Sequence, residues 1–169
     1  MFPVPVDCHI LLYLFSGLCL ATVLCMWLGK LSLVEAGWCW GGWRALVLIV
    51  GWGGLLSVAG VSWLRFLIHT GRYLPIPITP TARDWLVLII IAPVLEEVFF
   101  RGAILGIMQR SWHPFWAVVI TAVFSMVCFP MQLWVAFIFF CSLGYGIIFC
   151  RSRSVIAAIV VHAVVAAVL

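Results

Sequence analysis

The chain has 169 residues, of which 67% are hydrophobic and 8% charged, and its mean hydropathy is +1.30. A soluble domain carries roughly a quarter charged residues, so this composition excludes one, and the apolar content excludes disorder as well. The formal charge of +4 comes from scattered residues that form no basic run, which leaves no electrostatic footprint for nucleic acid.

A bilayer-spanning helix needs roughly 20 apolar residues, and six runs approach that length. The first, Cys8 to Gly29, lacks a basic leading segment and a small-residue cleavage site, so it reads as a retained span rather than a removable signal. The second, Arg44 to Leu64, is rich in glycine (Gly51, Gly53, Gly54, Gly60). Small residues let helices approach closely in lipid, which predicts a helix buried among others. The connection HTGRYLPIPITPTARD follows at residues 69–84, where Pro75, Pro77 and Pro80 exclude regular helix. Thr81 and Asp84 have the spacing of a capping box, with Asp in place of the usual Glu or Gln.

The third run, Trp85 to Met108, carries an acidic pair. The fourth, Phe115 to Phe129, lies between Pro114 and Pro130. The fifth is Leu133 to Cys150 and the sixth Val155 to Leu169. Trp38, Trp40, Trp43, Tyr73, Trp112 and Trp134 fall near run ends, as interfacial anchors do. The expected fold is all-α: a polytopic membrane protein of about six transmembrane helices in one bundle. Residues 1–84 supply two N-terminal helices and the polar connection, and residues 85–169 a four-helix core. Lys30, Arg44, Arg110, Arg151 and Arg153 fall at one end and Arg65, Arg72 and Arg83 at the other. The positive-inside rule then places the first end in the cytoplasm and both termini outside, by a thin margin.

Seven cysteines lie mostly within apolar runs and form no CxxC, so neither a disulfide framework nor a zinc site is indicated. His9, His69, His113 and His162 are scattered and no HExxH occurs, which argues against a metalloprotease. No metal or cofactor is expected. Asparagine is absent from the whole chain.

The chemistry concentrates in the third run. Glu96 and Glu97 are adjacent, and Arg101 follows four residues after the second. Ionisable groups at membrane depth are costly unless paired or facing water, and they default to a functional reading. On a helix, Glu97 and Arg101 share a face, whereas Glu96 points about 100° away. One carboxylate can thus be held by the arginine while the other faces a cavity and acts as a general base on water. Pro93 removes a backbone hydrogen bond one turn earlier, which is tolerated where a helix lines a cavity. With the helices antiparallel in sequence, Glu96 lies roughly 18 Å below the top of its helix at 1.5 Å per residue. Cys128 and His162 then reach a comparable depth, so Glu96, Arg101, Cys128 and His162 can form one layer. Taken alone, His162 has an equal reading as a histidine bonded to a neighbouring carbonyl. Arg151 and Arg153 read as a solvated turn or headgroup contacts.

The segment APVLEEVFFR, residues 92–101, resembles the first motif of the CPBP family, which includes type II CAAX prenyl endopeptidases and bacteriocin-processing or self-immunity membrane proteins. The family's second motif is FxxxH, and residues 124–128 read FSMVC. Its third is HxxxN, and residues 162–166 read HAVVA. Cys128 therefore stands where a histidine is expected, and Ala166 where an asparagine is expected. The resemblance covers about Trp85 to Leu169. It implies a metal-independent glutamic protease of the membrane interior, a multi-pass protein of the bacterial inner membrane. Its partners would be membrane lipid and a membrane-associated peptide or protein substrate. Carried over, Glu96 is the base, Glu97 and Arg101 support it, and His162 is an oxyanion donor. One lost oxyanion donor costs roughly 100- to 1,000-fold in rate. Three readings follow: a slow or divergent hydrolase, a catalytically inactive relative that binds a membrane peptide or acts in immunity, and a Cys128–His162 thiol acyl-transfer enzyme. A transporter fits less well, because polar residues lining broken helices are few.

Overall fold

A computed structural model describes residues 8–72, 81–128 and 134–169, with side chains from residue 16 onward. The described residues form six helices and no strand: α1 (Cys8–Leu28), α2 (Gly42–His69), α3 (82–108), α4 (Pro114–Cys128), α5 (Val135–Ser152) and α6 (Val155–Val168). Each corresponds to one apolar run, with ends shifted by a few residues. α2 and α5 are long and apolar enough to cross a membrane; the apolar parts of α1, α4 and α6 are shorter. The proline-rich stretch at 73–80 and Pro130 lie outside the described residues.

α5 is the axis of the bundle and packs against α2, α3, α4 and α6. Two glycines admit its neighbours. A Cβ on Gly144 would come 3.0 Å from Leu56 of α2, and one on Gly146 would come 2.9 Å from Val118 of α4. One core, including Leu56, Phe137, Tyr145, Ile148 and Val161, joins α2, α5 and α6. A second, including Leu105, Ala117, Val118 and Phe149, joins α3, α4 and α5. α1 packs on α3.

The glycine pattern of α2 does not bury the whole helix, contrary to expectation. Gly53 and Gly60 face the bundle, while Gly51 and Gly54 face outward beside exposed Val47, Val50, Leu55 and Val58. The glycines occupy more than one helical face, so only some can serve a single contact.

α3 is one helix with two wide turns. Val87–Ile91 and Val98–Leu105 are π-helical, and Ala92–Glu97 between them is α-helical. The Ala92 N–H bonds the Val87 carbonyl five residues back, just before Pro93. Proline has no N–H and its ring crowds the carbonyl four residues back; a wide turn relieves both constraints. At its start α3 carries the expected capping box. The Thr81 N–H donates to Asp84 Oδ2 at 2.8 Å, and the Asp84 N–H donates to Thr81 Oγ1 at 3.3 Å.

The segment between α1 and α2 is an ordered strap across one end of the bundle. The Ser32 N–H and hydroxyl donate to Glu35 Oε2 at 2.8 and 2.9 Å, and Arg110 grips Glu35 Oε1 at 2.9 Å. Arg110 also donates to the Gly29 carbonyl at 2.5 Å. Ala36 is fully buried. The Gly37 carbonyl accepts from the first N–H of α6, and the Ser154 hydroxyl, the α6 N-cap, donates to the Cys39 carbonyl. Arg153, read from sequence as a solvated group, ends α5 with φ of 56° and donates to Gln109 at 2.9 Å. Trp38, Trp40, Trp43 and Trp112 are exposed and Trp134 is half-buried, while Tyr73 lies outside the described residues.

Candidate active site

Glu97 is fully buried, and its Oε1 receives two partners. Arg101 Nη1 donates to it at 3.0 Å, and His162 Nδ1 from α6 lies 2.9 Å away. Arg101 is 2% exposed and reaches across to α5, where Nη2 donates to the Ser142 carbonyl at 3.0 Å and to its hydroxyl at 2.6 Å. The guanidinium carbon also sits 5.3 Å from the Tyr145 ring centre and 5.7 Å from that of Phe100. The glutamate and the histidine thus join α3 to α6, and the arginine joins α3 to α5. The Arg101 contacts are charge-assisted and buried, and such bonds are roughly twice as strong as neutral ones.

Glu96 is placed differently. Its side chain is 21% exposed and lines a cavity of about 330 Å³ among α3, α4, α5 and α6. Its Oε2 lies 4.0 Å from His162 Nε2, the ring nitrogen opposite the one that meets Glu97. The His162 ring stacks on Tyr145 with centres 4.8 Å apart and planes 19° apart. With Glu97 ionised, Nδ1–H donates to it, which fixes the tautomer or the protonated ring and aims Nε2 at Glu96. If all four groups are charged, two carboxylates offset two cations and the cluster is neutral.

The structure therefore brings Glu96, Glu97, Arg101 and His162 together, with one carboxylate tied and one at the cavity. It does not bring Cys128 to them. Cys128 is exposed, ends α4, and is not among the residues that line the cavity. It is the last residue of α4, about one turn beyond the cavity-lining Ser125. Ala166 lines the cavity and offers no donor.

Sequence reasoning missed Ser142, Tyr145 and Ser125. Ser142 and Tyr145 are three residues apart on a helix and so share a face. They interrupt the apolar run of α5, which was a readable signal. The remaining cavity wall is apolar, including Leu88, Trp134, Phe137, Val165 and Leu169. Among the described residues, no three His, Cys, Asp or Glu side chains are arranged to hold a metal ion.

Residues 77–168, more than half the chain, match the family model for the type II CAAX prenyl endopeptidase Rce1-like family, and the chain belongs to that family. It is an all-α membrane protein of a protease family. No curated protein and no solved structure matches the chain.

Proposed function

We propose that the chain is a glutamate-dependent intramembrane endopeptidase that cleaves a membrane-associated peptide or a protein's C-terminal signal. The observation that carries this reading is the division between the two carboxylates: Glu97 is locked by Arg101 and His162, while Glu96 lines the cavity. Glu96 is the general base. The 4.0 Å between Glu96 Oε2 and His162 Nε2 is too long for a direct hydrogen bond and short enough for one water to bridge. A water held there loses a proton to Glu96 as it attacks the scissile carbonyl. His162 orients that water through Nε2, and Glu97 fixes the ring through Nδ1. Arg101 and Ser142 hold Glu97 in place. The bundle sits in the membrane, and the apolar cavity wall takes an apolar stretch of substrate out of lipid.

Two probes cover the substrate classes: a peptide with an apolar segment and a peptide carrying a prenylated cysteine three residues from its C-terminus, the position prenylated in C-a-a-X sequences. Glu96→Gln removes the base and keeps the shape. It lowers turnover of the cleaved probe by about 100- to 10,000-fold, the usual contribution of a general base. Turnover that survives this change would sink the glutamate mechanism.

A second reading has its own support. Ala166 gives the cavity no donor and Cys128 lies outside it, which suits a relative that binds a membrane peptide without cutting it. Full cellular function in a chain carrying Glu96→Ala and His162→Ala together would favour that reading. The thiol acyl-transfer reading needs Cys128 within reach of His162, and its exposed position outside the cavity counts against it.

A further inference from the structure

In apolar surroundings a helical serine or threonine commonly turns its hydroxyl back onto the carbonyl one turn earlier. Thr22 does so to Leu18 at 2.8 Å, Thr70 to Phe66 at 2.9 Å, Thr121 to Ala117 at 2.8 Å and Ser152 to Ile148 at 2.7 Å. Ser125 lies one turn beyond Thr121 on α4 and does not. Ser125 is 4% exposed, and its Oγ is buried with no hydrogen-bond partner among the described residues. It lines the same cavity as Glu96, Arg101 and His162. Leaving a buried hydroxyl unmade costs free energy, so a helix that forgoes the local bond holds that donor for something else.

On the cavity wall both Nη groups of Arg101 bond within the cluster, and the Ser142 hydroxyl oxygen accepts from Nη2. Arg101 Nε is also unpaired, but its guanidinium is fixed by three hydrogen bonds, whereas a hydroxyl rotates freely. Ser57 carries the other buried hydroxyl without a partner among the described residues; it belongs to α2 and does not line the cavity.

We propose that Ser125 contacts the substrate, its hydroxyl donating a hydrogen bond to the scissile carbonyl oxygen. The proposal rests on the glutamate reading above. As the water oxygen bonds to the carbonyl carbon, the π pair moves onto the carbonyl oxygen and the water proton goes to Glu96. On collapse the C–N bond breaks and that proton leaves with the amine. Ser125 keeps its proton and forms no covalent bond.

The test uses the full chain in detergent and, as probe, a quenched peptide with an S-farnesylated cysteine three residues from its end, beside an unprenylated apolar peptide. Ser125→Ala lowers kcat by about 100-fold, as loss of one oxyanion donor does, with KM little changed. The same change raises the melting temperature by about 2–4 °C, because it removes an unsatisfied buried group. Ser57→Ala leaves turnover unchanged. Full turnover in Ser125→Ala, with Glu96→Gln inactive, overturns the assignment of Ser125 and spares the glutamate reading. A lowered melting temperature in Ser125→Ala also overturns it, since the hydroxyl would then be structural. Turnover that survives Glu96→Gln, or a wild-type chain that cuts neither peptide, overturns the glutamate reading and this proposal together.

Discussion

Glu97–Arg101 and Glu35–Arg110 are the same chemical pair at nearly the same distance, 3.0 and 2.9 Å. Their surroundings differ. The first pair's side chains are 0% and 3% exposed, the second pair's 51% and 39%. In water the attraction of two charges is small and screened; out of water it is large, but so is the cost of desolvating each charge. The buried pair is therefore an obligatory unit whose members cannot be lost singly. The exposed pair is an adjustable clasp on the strap at 29–41. The buried glutamate answers the desolvation cost with two partners on one oxygen, and Arg101 spreads its donors over Glu97 and Ser142. That arrangement leaves Glu96 free for the cavity.

Arg101→Met breaks the comparison on its buried side. It leaves Glu97 with a charge and one partner, and breaking a buried pair in this way costs about 3–5 kcal/mol. Chemical denaturation in detergent is expected to show that loss. Arg101→Lys is expected to recover only part of it, because one ammonium cannot reproduce the fork that spans Glu97 and Ser142. A loss no larger than that of an exposed substitution would mean that the cluster is hydrated rather than buried.

The sequence carried the helices and the Glu97–Arg101 pair, because both follow from local rules. Apolar runs set the spans, and the spacing of Glu97 and Arg101 set their pairing on one face. Thr81 and Asp84 were readable as a cap for the same reason. What the sequence did not carry depends on helix rotation and on contacts between distant segments. Run lengths placed Cys128 beside Glu96, but the cavity is lined by Ser125, one turn earlier on α4, and not by Cys128 at the helix end. The glycines of α2 marked a helix able to approach closely without saying which of its faces does so. The wide turns of α3 were visible only as Pro93. The strap at 29–41 was not legible, since it is held by Arg110, Ser154 and the start of α6, all more than 70 residues away in the chain.

The strap also separates a buried hold from an exposed one. Ser154 is fully buried; its hydroxyl accepts from the Ala157 N–H at 3.1 Å and donates to the Cys39 carbonyl. Ser154→Ala removes the α6 cap and the strap bond at once. A lost N-cap costs about 0.5–2 kcal/mol, and the upper end is expected here because the site is dry. Hydrogen exchange at 37–42 should quicken in the same variant; unchanged exchange there would mean that the strap is held without Ser154.

The smallest effect lies in the exposed clasp and is read by pH. The Ser32 N–H, the Ser32 hydroxyl and then Arg110 hold the Glu35 carboxyl below its ordinary value of 4.5. A carboxylate whose folded pKa is depressed adds stability above its unfolded pKa and loses it as pH falls through the folded value. Melting curves of the wild type and of Glu35→Gln should therefore differ above about pH 4.5 and converge in more acid buffer. Ser32, through its N–H and hydroxyl together, contributes more to the shift than Arg110 does, so Arg110→Gln is expected to keep the larger part of this pH dependence while loosening the strap from α3. If Arg110→Gln abolished it, the clasp would be an ion pair first and a turn second, and the strap would be tied to the bundle by charge rather than by its own backbone.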